Sequence, residues 1–339
     1  MQNFLDPAIL FFVFGVLAGL VRSNLEIPAP ISRFLSLYLL MALGLKGGFA
    51  LAKSGFNAEV LTSLGCAVAL AVIVPLLGYH LMRRFLNGYD AAAIAATYGS
   101  VSAVTFITTL QYLENHDLPY GGHMAAAMAL MESPAIIMAV LFANRLRQRA
   151  EPAPAGAMVD AGSGTLTLAG EPRPASVPLG KLLHESFTDG AQLLLLGAML
   201  IGMLTGSAGE AVMAPFSVDL FKGMLAFFLL DMGLTAARQL AQLGRPSPVL
   251  LVYAILGPLL HASLALAAAW LLDIEPGNGA LLMVLAASAS YIAVPAALRF
   301  AIPEARPALY IGLSLGVTFP FNILLGIPLY VGVAQALLA

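Results

Sequence analysis

An apolar segment long enough to cross a membrane, Ala91 to Leu113, is interrupted near its centre by Tyr98-Gly99-Ser100-Val101-Ser102-Ala103-Val104-Thr105. Hydrocarbon offers no partner to a free N–H or C=O, so irregular backbone at membrane depth is tolerated only beside protein or a water-lined cavity. A glycine and three small hydroxyls at this point predict a broken helix facing such a cavity. A second interruption, Ser288-Ala289-Ser290-Tyr291-Ile292-Ala293-Val294-Pro295, predicts another. Any fold open to this chain must supply partners to both breaks.

Composition agrees with a membrane setting. Of 339 residues, 60% are hydrophobic and 10% charged, against roughly 45–50% and 25% in soluble domains. The expected class is an all-α integral membrane protein. Sixteen Lys and Arg against 18 Asp and Glu leave no basic face for nucleic acid. The single Cys66 excludes an internal disulfide. No positive n-region precedes the first apolar run and no small-residue cleavage site follows it, so it is expected to be a retained span.

Apolar runs of about 20 residues, shorter where Gly or Pro intervenes, fall at 7–21, 30–52, 60–82, 91–113, 124–144, 187–206, 212–236, 247–272, 278–298 and 307–337. If both termini lie outside, Arg22, Arg33, Arg83, Arg84, Arg145, Arg147, Arg149, Arg173, Lys181, Arg238, Arg245, Arg299 and Arg306 fall at cytoplasmic ends, 13 of the 16 basic residues. The outer ends carry Glu114, Asp117, Glu210, Asp273 and Glu275, with Lys53 as the exception, while Lys46 and Lys222 fall within spans. This asymmetry predicts ten transmembrane helices in a bacterial inner membrane. The stretch Glu151 to Pro178, rich in Ala, Gly, Pro and Ser, reads as a cytoplasmic linker. The chain therefore divides into a first five-helix repeat (1–150), a linker (151–180) and a second repeat (181–339).

Five is odd, so the second repeat must be inverted, with helices four and nine interrupted at mid-membrane. Weak internal matches agree in order. Gly44 of the second run aligns with Gly233 of the seventh, Ser100 and Ser102 with Ser290 and Ile292, and Met131-Glu132-Ser133-Pro134 with Val317-Thr318-Phe319-Pro320.

At 1.5 Å per residue, Ser100, Ser102, Ser288, Ser290 and Tyr291 all fall near the middle of a core about 30 Å thick. Half-helix N-termini meeting there would aim unpaired N–H groups, each with about half a positive charge, at one point. That chemistry suits a small inorganic anion. The expected substrate-binding residues are Gly99, Ser100, Val101, Ser102, Ala103 and Thr105 from one break and Ser288, Ala289, Ser290 and Tyr291 from the other. The alternative is that such serines bond back to helix carbonyls or admit close packing.

Four residues are candidates for ion coupling or charge compensation: Lys46, Glu132, Asp231 and Asn322. Glu132, roughly halfway through the fifth run, needs neutralisation, a partner or water. Lys46 falls at a similar depth, so a Lys46–Glu132 pair is one expectation and snorkelling to the interface the other. Asp231 either pairs with Arg238, seven residues on, or relays protons or cations. Asn322 is expected to satisfy backbone freed by Pro320. His80, His261 and Trp270 have no metal spacing.

The order and spacing of several motifs resemble the sodium-dependent bicarbonate transporters of the SbtA kind. They are Gly44-Leu45-Lys46-Gly47-Gly48, Tyr98-Gly99-Ser100-Val101-Ser102, Met131-Glu132-Ser133-Pro134-Ala135, His184-Glu185-Ser186, Asp231-Met232-Gly233, Ser288-Ala289-Ser290-Tyr291-Ile292 with Pro295 and Arg299, and Tyr310-Ile311-Gly312. The resemblance spans essentially the whole chain. It implies a homotrimeric permease bringing bicarbonate in with sodium between the broken fourth and ninth helices, and a PII-like regulatory protein at the cytoplasmic face. It also implies a moving core of spans four, five, nine and ten against a scaffold containing two and seven. The chain carries Lys46 and Tyr291 where the cyanobacterial type has a threonine and an aspartate.

The expected function is thus secondary active transport of a small anion, bicarbonate by resemblance. Sodium is the expected coupling ion, near Ser100, Ser102, Ser288 and Ser290, and no other cofactor is expected. The chain has no phosphate-binding Gly-x-x-x-x-Gly-Lys-Ser/Thr loop and so does not energise itself with ATP. A passive channel, a proton-coupled transporter of another anion and a transporter-like sensor remain open. An intramembrane enzyme lacks a base matched to any serine.

Overall fold

A computed structural model of the chain describes residues 6–149, 189–244 and 246–339, and among them every regular element is helical. The helices are α1 (Pro7–Leu20), α2 (Ala29–Ser54), α3 (Ala58–Met82), α4 (Gly88–Gly99), α5 (Ala103–Asn115), α6 (Met124–Arg149), α7 (Gly190–Ala214), α8 (Phe221–Leu243), α9 (Pro248–Leu271), α10 (Pro276–Ala287), α11 (Ala293–Ala301) and α12 (Pro307–Leu338). The predicted linker and His184-Glu185-Ser186 lie outside the described residues.

Local chemistry sets the helix starts. Asp6, Asn57, Asn87, Ser102 and Asp189 each accept a hydrogen bond from a backbone N–H of the first turn, satisfying donors that a helix N-terminus leaves orphaned. Prolines open α9, α10 and α12, where a missing N–H costs nothing. Inside α12, two π-helical turns, Ser314–Thr318 and Asn322–Gly326, flank Pro320, a residue whose ring and missing donor disturb regular winding.

Seven helical stretches among the described residues are long and apolar enough to cross a membrane, while α1 and α10 are apolar but shorter. The sixth and seventh expected runs form one stretch, Gly190–Leu243. That stretch bends at Gly206 (φ 54°, ψ −141°) and loosens into a π turn at Pro215–Asp219. The left-handed φ is one that glycine adopts without the steric cost a side chain would bring.

Two pairs of helices meet with almost no side chain between them. In α2, an added Cβ on Gly44 would lie 2.4 Å from the Leu195 carbonyl oxygen of α7, and one on Gly48 2.1 Å from that of Met199. In α1, a Cβ on Gly15 would lie 2.3 Å from the Leu230 carbonyl oxygen of α8, and one on Gly19 2.6 Å from Ala237 Cβ. Gly202 and Gly233 complete the two seams from the opposite helices. Small residues four apart let helix backbones approach within van der Waals contact, a source of association that survives in lipid. In both pairs the contact numbers rise together, so each pair is parallel.

The end of the molecule near α11 is held by two forked ion pairs. Asp90, 1% exposed in its side chain, accepts from the Arg306 backbone N–H and guanidinium at 2.8 Å each. Arg147 donates from Nε and a terminal nitrogen to the two oxygens of Glu304, both at 2.8 Å. Burial alone would raise the Glu304 carboxyl, but the hydrogen bond and charge of Arg147 outweigh it and hold it below its ordinary range.

Two outcomes follow from this packing. Gly48→Ala is expected to destabilise detergent-solubilised protein by about 1–3 kcal/mol through overpacking. Gly197→Ala, also in α7 but with nothing within 4 Å of its added Cβ, should be neutral or stabilising by up to roughly 1 kcal/mol. Equal shifts in thermal midpoint would show that the seam carries no special packing. A carboxyl depressed in the folded state contributes stability above its unfolded pKa of about 4.3 and loses it as pH falls through the folded value. Thermal stability should therefore fall on acidification below about pH 4, with a shallower fall in Arg147→Ala.

Candidate functional site

The fourth expected run is two helices. α4 ends at Gly99, Ser100 and Ser102 are extended, and α5 begins at Ala103. The ninth is likewise split: α10 ends at Ala287, Ser288 is extended, and α11 begins at Ala293. Gly99 permits the first break to lie against α3, since a Cβ there would lie 2.5 Å from Pro75.

The backbone freed by one break is satisfied largely by the other. Ser102 N–H donates to Ser288 Oγ at 2.9 Å, and Ser290 N–H donates to the Thr97 carbonyl at 2.8 Å. Ser288 Oγ in turn donates to the Leu285 carbonyl. Ser102 Oγ caps α5, accepting from the Thr105 N–H and hydroxyl, and Ser290 Oγ accepts from the Val294 N–H of α11. All four serines are buried. The hydroxyls of Ser102, Ser288 and Ser290 serve the backbone first, which is the capping and back-bonding role set beside the ligand role above.

A cavity of about 80 Å³ opens beside this crossing. Val101, Ser102, Ala103, Ser290 and Tyr291 line it, and so does Glu132 from α6. Glu132 Oε2 accepts from Gln192 Nε2 of α7 at 2.7 Å. The expected Lys46–Glu132 pair does not form: Lys46 Nζ donates instead to Glu114 Oε1 at 2.7 Å, at the end of α5. Lys46 leans outward along α2 as a snorkelling lysine does. The carboxylate in the cavity therefore faces a neutral amide.

The remaining expected residues divide between scaffold and periphery. Gly99, Ser100, Thr105, Ser288 and Ala289 support the crossing from behind without lining the cavity. The Ser100 hydroxyl is buried with no hydrogen-bond partner among the described residues, and the Tyr291 hydroxyl lies toward Ser102 without completing a bond. Asp231 accepts from Ser32 of α2, and Arg238, its expected partner, donates to the Leu25 carbonyl. Asn322 has a different task from the one expected. Its Nδ2 donates to the Ala287 carbonyl at 2.9 Å, the last carbonyl of α10, and its Oδ1 accepts from Tyr330.

Sequence reasoning missed Gln192, Ser32 and Ser36, the last also on the cavity wall. Gln192 carried a signal, being the one amide ahead of a leucine run. A cavity of this size is far below the roughly 300–1,000 Å³ of drug-sized pockets and fits an ion of a few atoms. Among the described residues no cluster of three or more His, Cys, Asp or Glu side chains is arranged to hold a metal.

The bond from Asn322 is open to test. Asn322→Leu strips the Ala287 carbonyl and the Tyr330 hydroxyl of their partners, which should cost about 1–3 kcal/mol in thermal unfolding. A loss no larger than that of an exposed substitution would mean that the α10 terminus finds another donor.

A family model described as the Na+-dependent bicarbonate transporter superfamily matches residues 7–335. No curated protein matches the chain.

Proposed function

We propose, since the chain belongs to the Na+-dependent bicarbonate transporter superfamily, that it is a membrane transporter carrying bicarbonate inward with sodium through the cavity beside the crossed breaks. The observation that carries this reading is Glu132 on the cavity wall, whose hydrogen-bond partner among the described residues is the neutral amide of Gln192. An anion and a carboxylate confined together in a poorly solvated cavity repel strongly. A sodium ion entering with the anion offsets that repulsion, so coupling follows from the charge balance of the site. Ser100 Oγ, behind the cavity wall and without a hydrogen-bond partner among the described residues, and the backbone carbonyls of the break are oxygen ligands of the kind hard cations take. Ser102, Ala103, Ser290 and Tyr291 form the anion side of the site, beside the N-termini of α5 and α11.

The architecture we propose is two five-helix repeats, 1–150 and 181–339, inverted about the cavity and joined by a cytoplasmic linker, 151–180. Ten crossings of the inner membrane then leave both termini outside. The exchange of partners supports it, because α1 of the first repeat pairs in parallel with α8 of the second and α2 with α7. A twofold operation that exchanges first helix for sixth and second for seventh turns one pair into the other. A homotrimer and a PII-like partner at the cytoplasmic face accompany this reading from the family resemblance alone.

A second reading has its own observation. Gln192 is a partner that a protonated Glu132 can keep, so a proton can replace sodium as the coupling ion. Uptake of labelled bicarbonate into proteoliposomes separates the cases. An inward sodium gradient should drive accumulation, and choline substitution should abolish it; accumulation under choline with an inward proton gradient would favour the second reading. Glu132→Gln should lower sodium-driven uptake by about tenfold, within the usual range of site-to-site coupling. No accumulation under either gradient would overturn bicarbonate symport.

A further inference from the structure

Lys46, displaced from Glu132, lines a second cavity of about 300 Å³. Leu43, Lys53, Tyr120, Glu210 and Phe221 share its wall. An ammonium has three N–H donors. One of those on Lys46 goes to Glu114, and the ring of Phe221 lies with its centroid 4.6 Å from Nζ. The third has no hydrogen-bond partner among the described residues. Tyr120 also donates to Glu114 Oε1 at 2.8 Å, so the carboxylate is divided between two donors. Lys53, two turns further along the same face of α2, pairs with Glu210 at 2.6 Å.

The two cavities lie in series. α2 contributes Leu40 to the first and Leu43 to the second, α6 contributes Met128 and Met124, and α5 contributes Val104 and Phe106. At 1.5 Å per residue the wall between them is about one turn, roughly 5 Å, thick. The Lys46 and Glu114 side chains are 22% and 31% exposed. The pair is therefore partly desolvated, so the ammonium attracts a third charge more strongly than in bulk water, while the pair stays loose enough to rearrange.

We propose that the second cavity is a binding site for a small inorganic oxyanion, anchored by the unfilled donor of Lys46. It stands outside the inner cavity on the orientation proposed above, and its use in transport rests on that reading, whereas its binding does not. The site loads an anion next to the wall it must pass, before any cation is needed to balance Glu132.

The test reads binding without transport. Ala50, on the same cavity wall, is replaced by cysteine in a Cys66→Ser background. Its modification by an anionic and a cationic thiosulfonate is followed in purified protein, with bicarbonate or gluconate at fixed sodium and ionic strength. The ratio of anionic to cationic reaction rates should be higher with Lys46 present than in Lys46→Gln, because the unfilled ammonium donor faces the cavity. Bicarbonate should slow modification where gluconate does not. Both effects should vanish in Lys46→Gln, survive in Ser102→Ala, and strengthen in Glu114→Gln, which releases the ammonium. Protection that persists in Lys46→Gln, that is absent when Lys46 is present, or that fails to grow in Glu114→Gln would overturn the proposal. Protection by bicarbonate in protein that shows no uptake would instead count against the transporter reading alone.

Discussion

An unpaired peptide group in hydrocarbon costs several kcal/mol, and this chain opens two of its apolar helices. The solution is mutual. Ser288 serves Ser102, Thr97 serves Ser290, and Asn322 reaches from α12 to the last carbonyl of α10. Neither break is self-sufficient, so each is conditional on the other being folded beside it. The cavity lies beside the crossing that these bonds hold together.

Charge is arranged with the same economy. The acid in the inner cavity is left with an amide, and the lysine that its depth offered as a counter-ion is held by an acid farther out. Among the described residues Glu132 therefore has no cationic side chain bonded to it, which is the gap the proposed coupling ion would fill. At the opposite end, Asp90 and Glu304 are matched by arginines in forked geometry, which fixes the guanidinium plane as well as the charge.

The breaks were legible from the chain because glycine and small hydroxyls in an apolar run have few other uses, and Glu132 because an acid at that depth demands a reason. What stayed hidden was direction. Distance along a helix gives depth but not azimuth, so Lys46 and Glu132 looked like partners although their helices turn them toward different cavities. The same limit concealed Ser32 beside Asp231, 199 residues away in sequence, and the reach of Asn322 to Ala287. The glycine spacing of the seams was present at 15 and 19 and at 44 and 48, yet hydropathy alone does not say which helix lies across from it.

Those seams restrict how neighbouring helices can ever slide. A backbone admitted only where a glycine faces it cannot creep by one residue, because in either direction at least one of the two positions that would then face it presents a Cβ. With glycines spaced by one turn, the nearest alternative register is a whole turn away, about 5.4 Å. Displacement along α1 and α8, or along α2 and α7, is therefore quantised: the helices keep their present setting or jump a full pitch, and no intermediate alignment is sterically quiet.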